Sequence, residues 1–196
     1  MKIAIMSSKD VLEYLEASIA CISEMKSMAG RIERIAKMLM DARKNGNTVY
    51  LIGNGGSGST ASHIACDMNK TSIIAGSPRF RAVSLVDNVP VILAWSNDVS
   101  YEDIFKEQLE NFLQPSDIVI AVSGSGNSKN IIKAASFAKT KGAKIIGLTG
   151  FDGGKLKEYA DECLIIPSNV MYRIEDMHLM INHILTSVFI RGHNYT

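Results

Sequence analysis

At 196 residues, 46% apolar and 21% charged, the chain is long enough to bury a core and has the composition of one ordinary globular domain. A formal net charge of +1 excludes a strong electrostatic pull toward nucleic acid or an anionic membrane, so neither is expected as a partner. No apolar run approaches a bilayer span, no signal pattern opens the chain, and three unclustered cysteines (Cys21, Cys66, Cys163) predict no disulfide framework and a reducing, cytoplasmic setting.

In chain order, Val11, Leu12, Leu15, Ile19 and Ile22 recur at helical spacing after the capping candidates Ser7 and Ser8. Ile32, Ile35, Ala36, Leu39 and Met40 repeat the pattern until Asn45-Gly46-Asn47 ends it, which predicts an N-terminal helical hairpin over residues 1–46. Its apolar surface, with Met25, Met28, Met38 and Met40, exceeds what one contact with a sheet needs and points to a homo-oligomer. From 47 to 196 the pattern alternates. Apolar runs at 49–52, 82–86, 118–122, 144–148 and 163–166 read as buried parallel strands, with helical segments at 57–69, 89–94, 101–113, 128–141 and 154–159 and a last helix over about 173–190. The expectation is one domain of the α/β class: a doubly wound, mainly parallel five-stranded sheet flanked by helices, flavodoxin-like in plan.

Two turns carry the chemistry. Asn54-Gly55-Gly56-Ser57 follows the first strand, and Ser123-Gly124-Ser125-Gly126-Asn127-Ser128 follows the third. A strand that breaks into Gly and Ser and then opens a helix offers free N–H groups and the positive end of a helix dipole, which suits a phosphate. Ordinary turns would use Gly for positive φ and Ser for capping, but that leaves the repeated serines unexplained. No GxxxxGK[ST] is present and the first turn lacks GxGxxG spacing, so a nucleotide is not indicated.

His63 and Asp67 stand four residues apart on the helix opened by the first turn and can converge on one proton or one metal ion. Glu175 and His183 share a face of the last helix, two turns and about 12 Å apart, with His178 rotated off that face. Cys66, between His63 and Asp67 in this region, reads as a small buried helix residue before it reads as a reactive thiol.

The words Gly53-Asn54-Gly55-Gly56-Ser57 with His63, Asn97-Asp98, Ser123 through Ser128, Leu148-Thr149-Gly150 with Asp152-Gly153-Gly154-Lys155, and Arg173-Ile174-Glu175-Asp176-Met177-His178 closely resemble the sugar isomerase (SIS) domain family, in its phosphoheptose isomerase branch. The resemblance covers nearly the whole chain. It implies the SIS fold and an aldose–ketose isomerase that converts sedoheptulose 7-phosphate to D-glycero-D-manno-heptose 7-phosphate through an enediolate, toward surface polysaccharide. It also implies a homotetramer with sites at subunit boundaries and one zinc ion per site. Carried over by position, Ser57, Ser123, Ser125 and Ser128 would bind the phosphate, with Gly55, Gly56, Gly124 and Glu175 beside them, and Asn54 and Asp98 would touch the sugar. Asp67 and His183 would be the acid/base pair, and His63, Asp67, Glu175 and His183 the zinc ligands. Three positions depart from the pattern: Asp67 replaces a glutamate, Glu175 a glutamine, and Thr71 a basic residue that Lys70 only neighbours. Isomerisation of another sugar phosphate, or a non-catalytic scaffold that binds the replication initiator, are the alternatives. Asp67 and the two histidines favour an enzyme.

Overall fold

The computed structural model describes residues 7–190. Five strands, β1 (Thr48–Gly53), β2 (Arg81–Ser84), β3 (Ile118–Val122), β4 (Lys144–Thr149) and β5 (Glu162–Ile165), form one parallel sheet in the order β2-β1-β3-β4-β5. The expected doubly wound five-stranded sheet is therefore present, with strand ends moved by one or two residues. The helices are α1 (Ser8–Met25), α2 (Ala29–Asn45), α3 (Gly55–Cys66), α4 (Val89–Asp98), α5 (Lys106–Phe112), α6 (Lys129–Thr140), α7 (Leu156–Tyr159) and α8 (Met171–Phe189).

The central strands are apolar on both faces because both faces are covered. On β1, Val49 and Leu51 enter a core shared with α2, α3 and α8, while Tyr50 and Ile52 enter a second core under α5, α6 and α7. On β3, Ile118, Ile120 and Val122 take the first side and Val119 and Ala121 the second. β2, at the sheet edge, alternates instead: Arg81 and Val83 are exposed, Ala82 and Ser84 buried. Where segments 57–69 and 101–113 were expected to be single helices, each changes character. The first leaves α3 at Cys66 and continues as a π-helical turn, Asp67–Thr71; the second starts as a 3-10 turn, Tyr101–Asp103.

The hairpin is a clearer departure. A single 3-10 turn, Lys26–Met28, joins α1 to α2, and Met25, Lys26, Met28 and Ala29 all keep right-handed helical backbone. The chain therefore runs on without reversing. Lys26-Ser27-Met28-Ala29 offers no glycine or proline to leave the helical region, whereas α2 does end at a left-handed Gly46 (φ 73°). The result is a helical arm opened by a Ser7–Asp10 capping box. Only Cys21 and Met25 of α1 are buried; Val11, Leu12, Leu15 and Ile19 are exposed. The Tyr14 hydroxyl donates to the Asp176 carboxylate, its ring lies 5.7 Å from that of Tyr172, and the Arg173 guanidinium sits 5.6 Å over it. No helix among the described residues is long and apolar enough to cross a membrane.

His178 is fully buried on α8. Its Nε2 lies 3.1 Å from the Thr149 carbonyl, and its Nδ1 is buried without a partner. The ring is therefore neutral with the proton on Nε2, which donates to that carbonyl. Burial lowers its pKa to about 4. An imidazole that resists protonation when folded takes up more protons when unfolded. Its contribution is complete above about pH 6.5 and is lost as the pH falls from there toward 4. Urea unfolding at about pH 7.5 and pH 5 should differ by roughly 2 kcal/mol from this residue, and His178→Leu should flatten that dependence.

Candidate active site

β1 and β3 are neighbours in the sheet, and the helices that follow them, α3 and α6, lie on opposite faces. A crevice opens at such a switch point, and both Gly/Ser turns fall there. A Cβ on Gly53 would lie 2.4 Å from the Ser57 carbonyl oxygen, and Gly55 has φ 53°, so the first turn can close this tightly only with glycine. Neither α3, capped in sequence by Asn54, nor α6, capped by Ser128, has a side-chain cap hydrogen bond. Two helix N-termini thus leave donors open toward one cleft of about 190 Å³, lined by Ser57, Ser123, Ser125 and Ser128. The Ser123 hydroxyl is buried and has no hydrogen-bond partner, while Ser125 Oγ accepts from the Asn127 N–H at 3.2 Å.

Asn54 also lines this cleft, with its amide held in place and one Nδ2–H left without a protein partner among the described residues. Nδ2 donates to Asn130 Oδ1 at 2.9 Å, and Oδ1 accepts from Asn130 Nδ2 at 2.8 Å and from the Tyr101 hydroxyl at 2.9 Å. Asp98, expected to touch the sugar, is exposed at the end of α4, outside the residues lining the cleft, and accepts from Asn97 Nδ2 at 2.7 Å. The far wall comes from α8. A Cβ on Gly124 would meet Met171 Sδ at 2.4 Å, and one on Gly56 would meet Glu175 Oε1 at 2.9 Å. Gly124 and Gly56 thus leave the space that these two side chains fill.

A second group lies further along the same two helices. His63 on α3, Asp67 at the start of the π-helical turn and His183 on α8 offer ligand atoms within 4.8 Å of one another. His63 Nε2 is 3.4 Å from Asp67 Oδ2, and the two imidazoles meet edge-on with centroids 5.3 Å apart. Asp67 is largely buried; the two histidines are exposed. Its Oδ1 accepts from the Thr71 hydroxyl at 3.0 Å and its Oδ2 from Asn182 Nδ2 at 2.7 Å. Two imidazoles and one carboxylate converging on one point form a set that suits a borderline divalent ion such as zinc. Glu175 does not belong to this set. Two helical turns before His183, its carboxylate stays with Gly56 in the serine-lined cleft, so the four-ligand expectation contracts to three within one chain. Cys66 is exposed, beside Ser62 and Asn69 in a groove between α3 and β2, and is neither buried nor part of either group.

Sequence reasoning missed Tyr101, Asn130, Met171 and Asn182. The two asparagines carried a signal: each is a polar residue on the buried face of an amphipathic helix, Asn130 beside apolar residues alone and Asn182 with His178 and Thr186 on the same face. Tyr101 and Met171 carried none.

The SIS domain family model matches residues 13–150. The chain belongs to this family. Within it, the chain is 42% identical over 181 residues to a phosphoheptose isomerase of Leptospira biflexa serovar Patoc, covering 91% of this chain and 92% of that one. It is 34% identical over 177 residues to a phosphoheptose isomerase of Akkermansia muciniphila, covering 88% and 93%. Among solved structures, the phosphoheptose isomerase of Francisella tularensis superposes with a TM-score of 0.88 at 30% identity, over 94% of this chain and 98% of that chain. The corresponding protein of Neisseria gonorrhoeae superposes with 0.86 at 26% identity, over 92% and 97%. The chain is an isomerase of the phosphoheptose isomerase branch, with its α/β SIS fold.

Proposed function

We propose that the chain interconverts sedoheptulose 7-phosphate and D-glycero-D-manno-heptose 7-phosphate in the cytoplasm, supplying heptose for surface polysaccharide. The observation that carries this reading is the pairing of two sites on shared helices. The serine-lined cleft lies at the N-terminal ends of α3 and α8, and the His63, Asp67 and His183 group lies about two turns further along both. Six residues separate Ser57 from His63, and eight separate Glu175 from His183, or about 9 and 12 Å of helix. A ligand with its phosphate in the cleft and its reacting end at the group needs several carbons between them.

In this reading Ser57, Ser123, Ser125 and Ser128, with the open N–H groups behind Gly55, Gly56 and Gly124, hold the phosphate. That remote binding energy orients the reacting end. Asp67 removes the proton from C1 of the ketose and returns it at C2, and His183 exchanges the proton between O1 and O2 as the enediolate forms and collapses. Glu175 faces the sugar hydroxyls nearest the phosphate. Asn54, held by Asn130 and Tyr101, offers its remaining Nδ2–H to a sugar oxygen. Zinc held by His63, Asp67 and His183 would stabilise negative charge developing on the substrate oxygens.

We read the chain as one domain that assembles into a homotetramer, its described residues dividing into an arm up to 46 and a core from 47 onward. Supporting this are the exposed apolar residues of α1, a groove of about 780 Å³ between α1, α2 and α8 edged by Ile22, Met40 and Ile184, and the exposure of His63 and His183.

The test is turnover on a panel of heptulose, hexulose and pentulose phosphates, with the heptulose phosphate expected to have the highest kcat/KM. Preference for a shorter sugar would retain the reaction type and reject the substrate. Ser125→Ala with Ser128→Ala removes two donors to an anion, each worth about 1.5–3 kcal/mol when charge-assisted. The double variant should weaken sugar phosphate binding by about a hundredfold or more, with an unchanged melting temperature in the absence of ligand.

A further inference from the structure

We propose that Asn182, assisted by Thr71, is a positioning residue that fixes the Asp67 carboxylate against His63 and His183. The proposal rests on the functional reading above and assigns residues to which neither the motifs nor the relatives give a role.

Asn182 is 2% exposed on the inner face of α8, among Ile181, Leu185 and Phe189. Packing alone gives no reason for an amide there. A buried amide is unfavourable unless it is hydrogen-bonded, and an apolar side chain of the same size would fill the space as well. The amide has a specific partner: Nδ2 donates to Asp67 Oδ2 at 2.7 Å. A carboxylate only accepts, so the orientation of the Asn182 amide is fixed by chemistry.

The second oxygen is held from a different element. Thr71 ends the π-helical turn that starts at Asp67, and its hydroxyl donates to Oδ1 at 3.0 Å. π-Helical turns recur where a helix re-aims a side chain at a functional site. An aspartate has two side-chain torsions, and donors on α8 and on the turn fix both. Oδ2, the oxygen bound by Asn182, is also the one 3.4 Å from His63. Each carboxylate oxygen accepts more than one hydrogen bond, so this clamp leaves lone pairs for a proton or a cation. Asn182 also precedes His183 directly, so movement of α8 carries the clamp and the imidazole together.

The experiment compares Asn182→Leu and Thr71→Val with the parent, each alone and combined with Asp67→Asn. It measures kcat and KM on sedoheptulose 7-phosphate, zinc affinity by chelator competition, and inorganic phosphate affinity by calorimetry. Groups that orient metal-binding or reacting side chains typically affect affinity or activity by about 10–100-fold. Asn182→Leu should lower kcat and weaken zinc binding by about that factor, with KM and phosphate affinity within about twofold. Thr71→Val should act in the same direction and less strongly. In the Asp67→Asn background both effects should nearly vanish, because the group they act through is gone. Unchanged kcat and zinc affinity in Asn182→Leu, an equal loss in the Asp67→Asn background, or a matching loss of phosphate affinity would overturn the proposal. If Asn182→Leu does not fold, the Thr71→Val cycle decides. If the parent turns over no sugar phosphate, the functional reading fails and the zinc cycle alone decides the clamp. A parent that neither turns over sugar phosphate nor binds zinc overturns both.

Discussion

Asp67→Asn should reduce turnover of sedoheptulose 7-phosphate by about 10²–10⁴-fold while sugar phosphate still binds. The substitution keeps the size and planarity of the side chain but removes its capacity to accept a proton from carbon. It also brings an NH₂ group close to the donors already there, because Thr71 and Asn182 both donate to Asp67. The variant amide can keep its oxygen toward Asn182 and donate from its NH₂ to the Thr71 hydroxyl, which accepts as well as donates. Thermal unfolding of the variant checks that the fold is kept, so that the loss of turnover reads the chemistry. The serine-lined cleft lies elsewhere on the molecule, so inorganic phosphate affinity should match the parent. Near-parental kcat in Asp67→Asn would remove the residue from proton transfer and leave His183 or a neighbouring subunit to supply the base.

The second large effect is structural. Gly126 has φ 63°, and a Cβ there would lie 2.1 Å from the Gly153 carbonyl oxygen and 3.1 Å from the Gly154 nitrogen. The turns after β3 and β4 cross backbone on backbone at this point, pinned by the Leu156 N–H donating to the Gly126 carbonyl at 2.9 Å. Neither chain can move aside as a flexible side chain would. The left-handed backbone adds about 1–2 kcal/mol for any residue with a Cβ. Gly126→Ala should lose about 4 kcal/mol or more, lower the melting temperature by roughly 10 °C, and abolish phosphate binding because Ser125 and Ser128 flank the displaced residue. Gly30→Ala is the matched control. It lies within α2 with nothing within 4 Å of the new methyl group and should be neutral or stabilising by up to about 1 kcal/mol.

What was legible in the sequence followed from local rules. The strands show themselves because a parallel strand covered on both faces must be apolar throughout, as β3 is from Ile118 to Val122. The two Gly/Ser turns show themselves because few residues can close a strand into a helix that tightly, and His63 with Asp67 because i,i+4 places them on one face. What was not legible has a common cause, in that each feature depended on what a residue meets across the fold. Nothing near Asn54 in the sequence tells that Asn130 and Tyr101, 76 and 47 residues away, hold its amide. Glu175 shares a helical face with His183, but the space left by Gly56 decides which site receives it. Cys66 looked like a buried residue within an apolar stretch and instead lies on the open side of α3. Periodicity located both N-terminal helices and carried no information on whether the residues between them reverse the chain.

The first turn of α8 is gripped from two sides. Tyr172, Arg173 and Asp176 meet Tyr14 of the arm, while Met171 and Glu175 form a wall of the serine-lined cleft. One stretch of helix, Met171–Asp176, is therefore shared between the arm and the cleft, and any change in how α1 packs reaches Met171 and Glu175 along the same backbone.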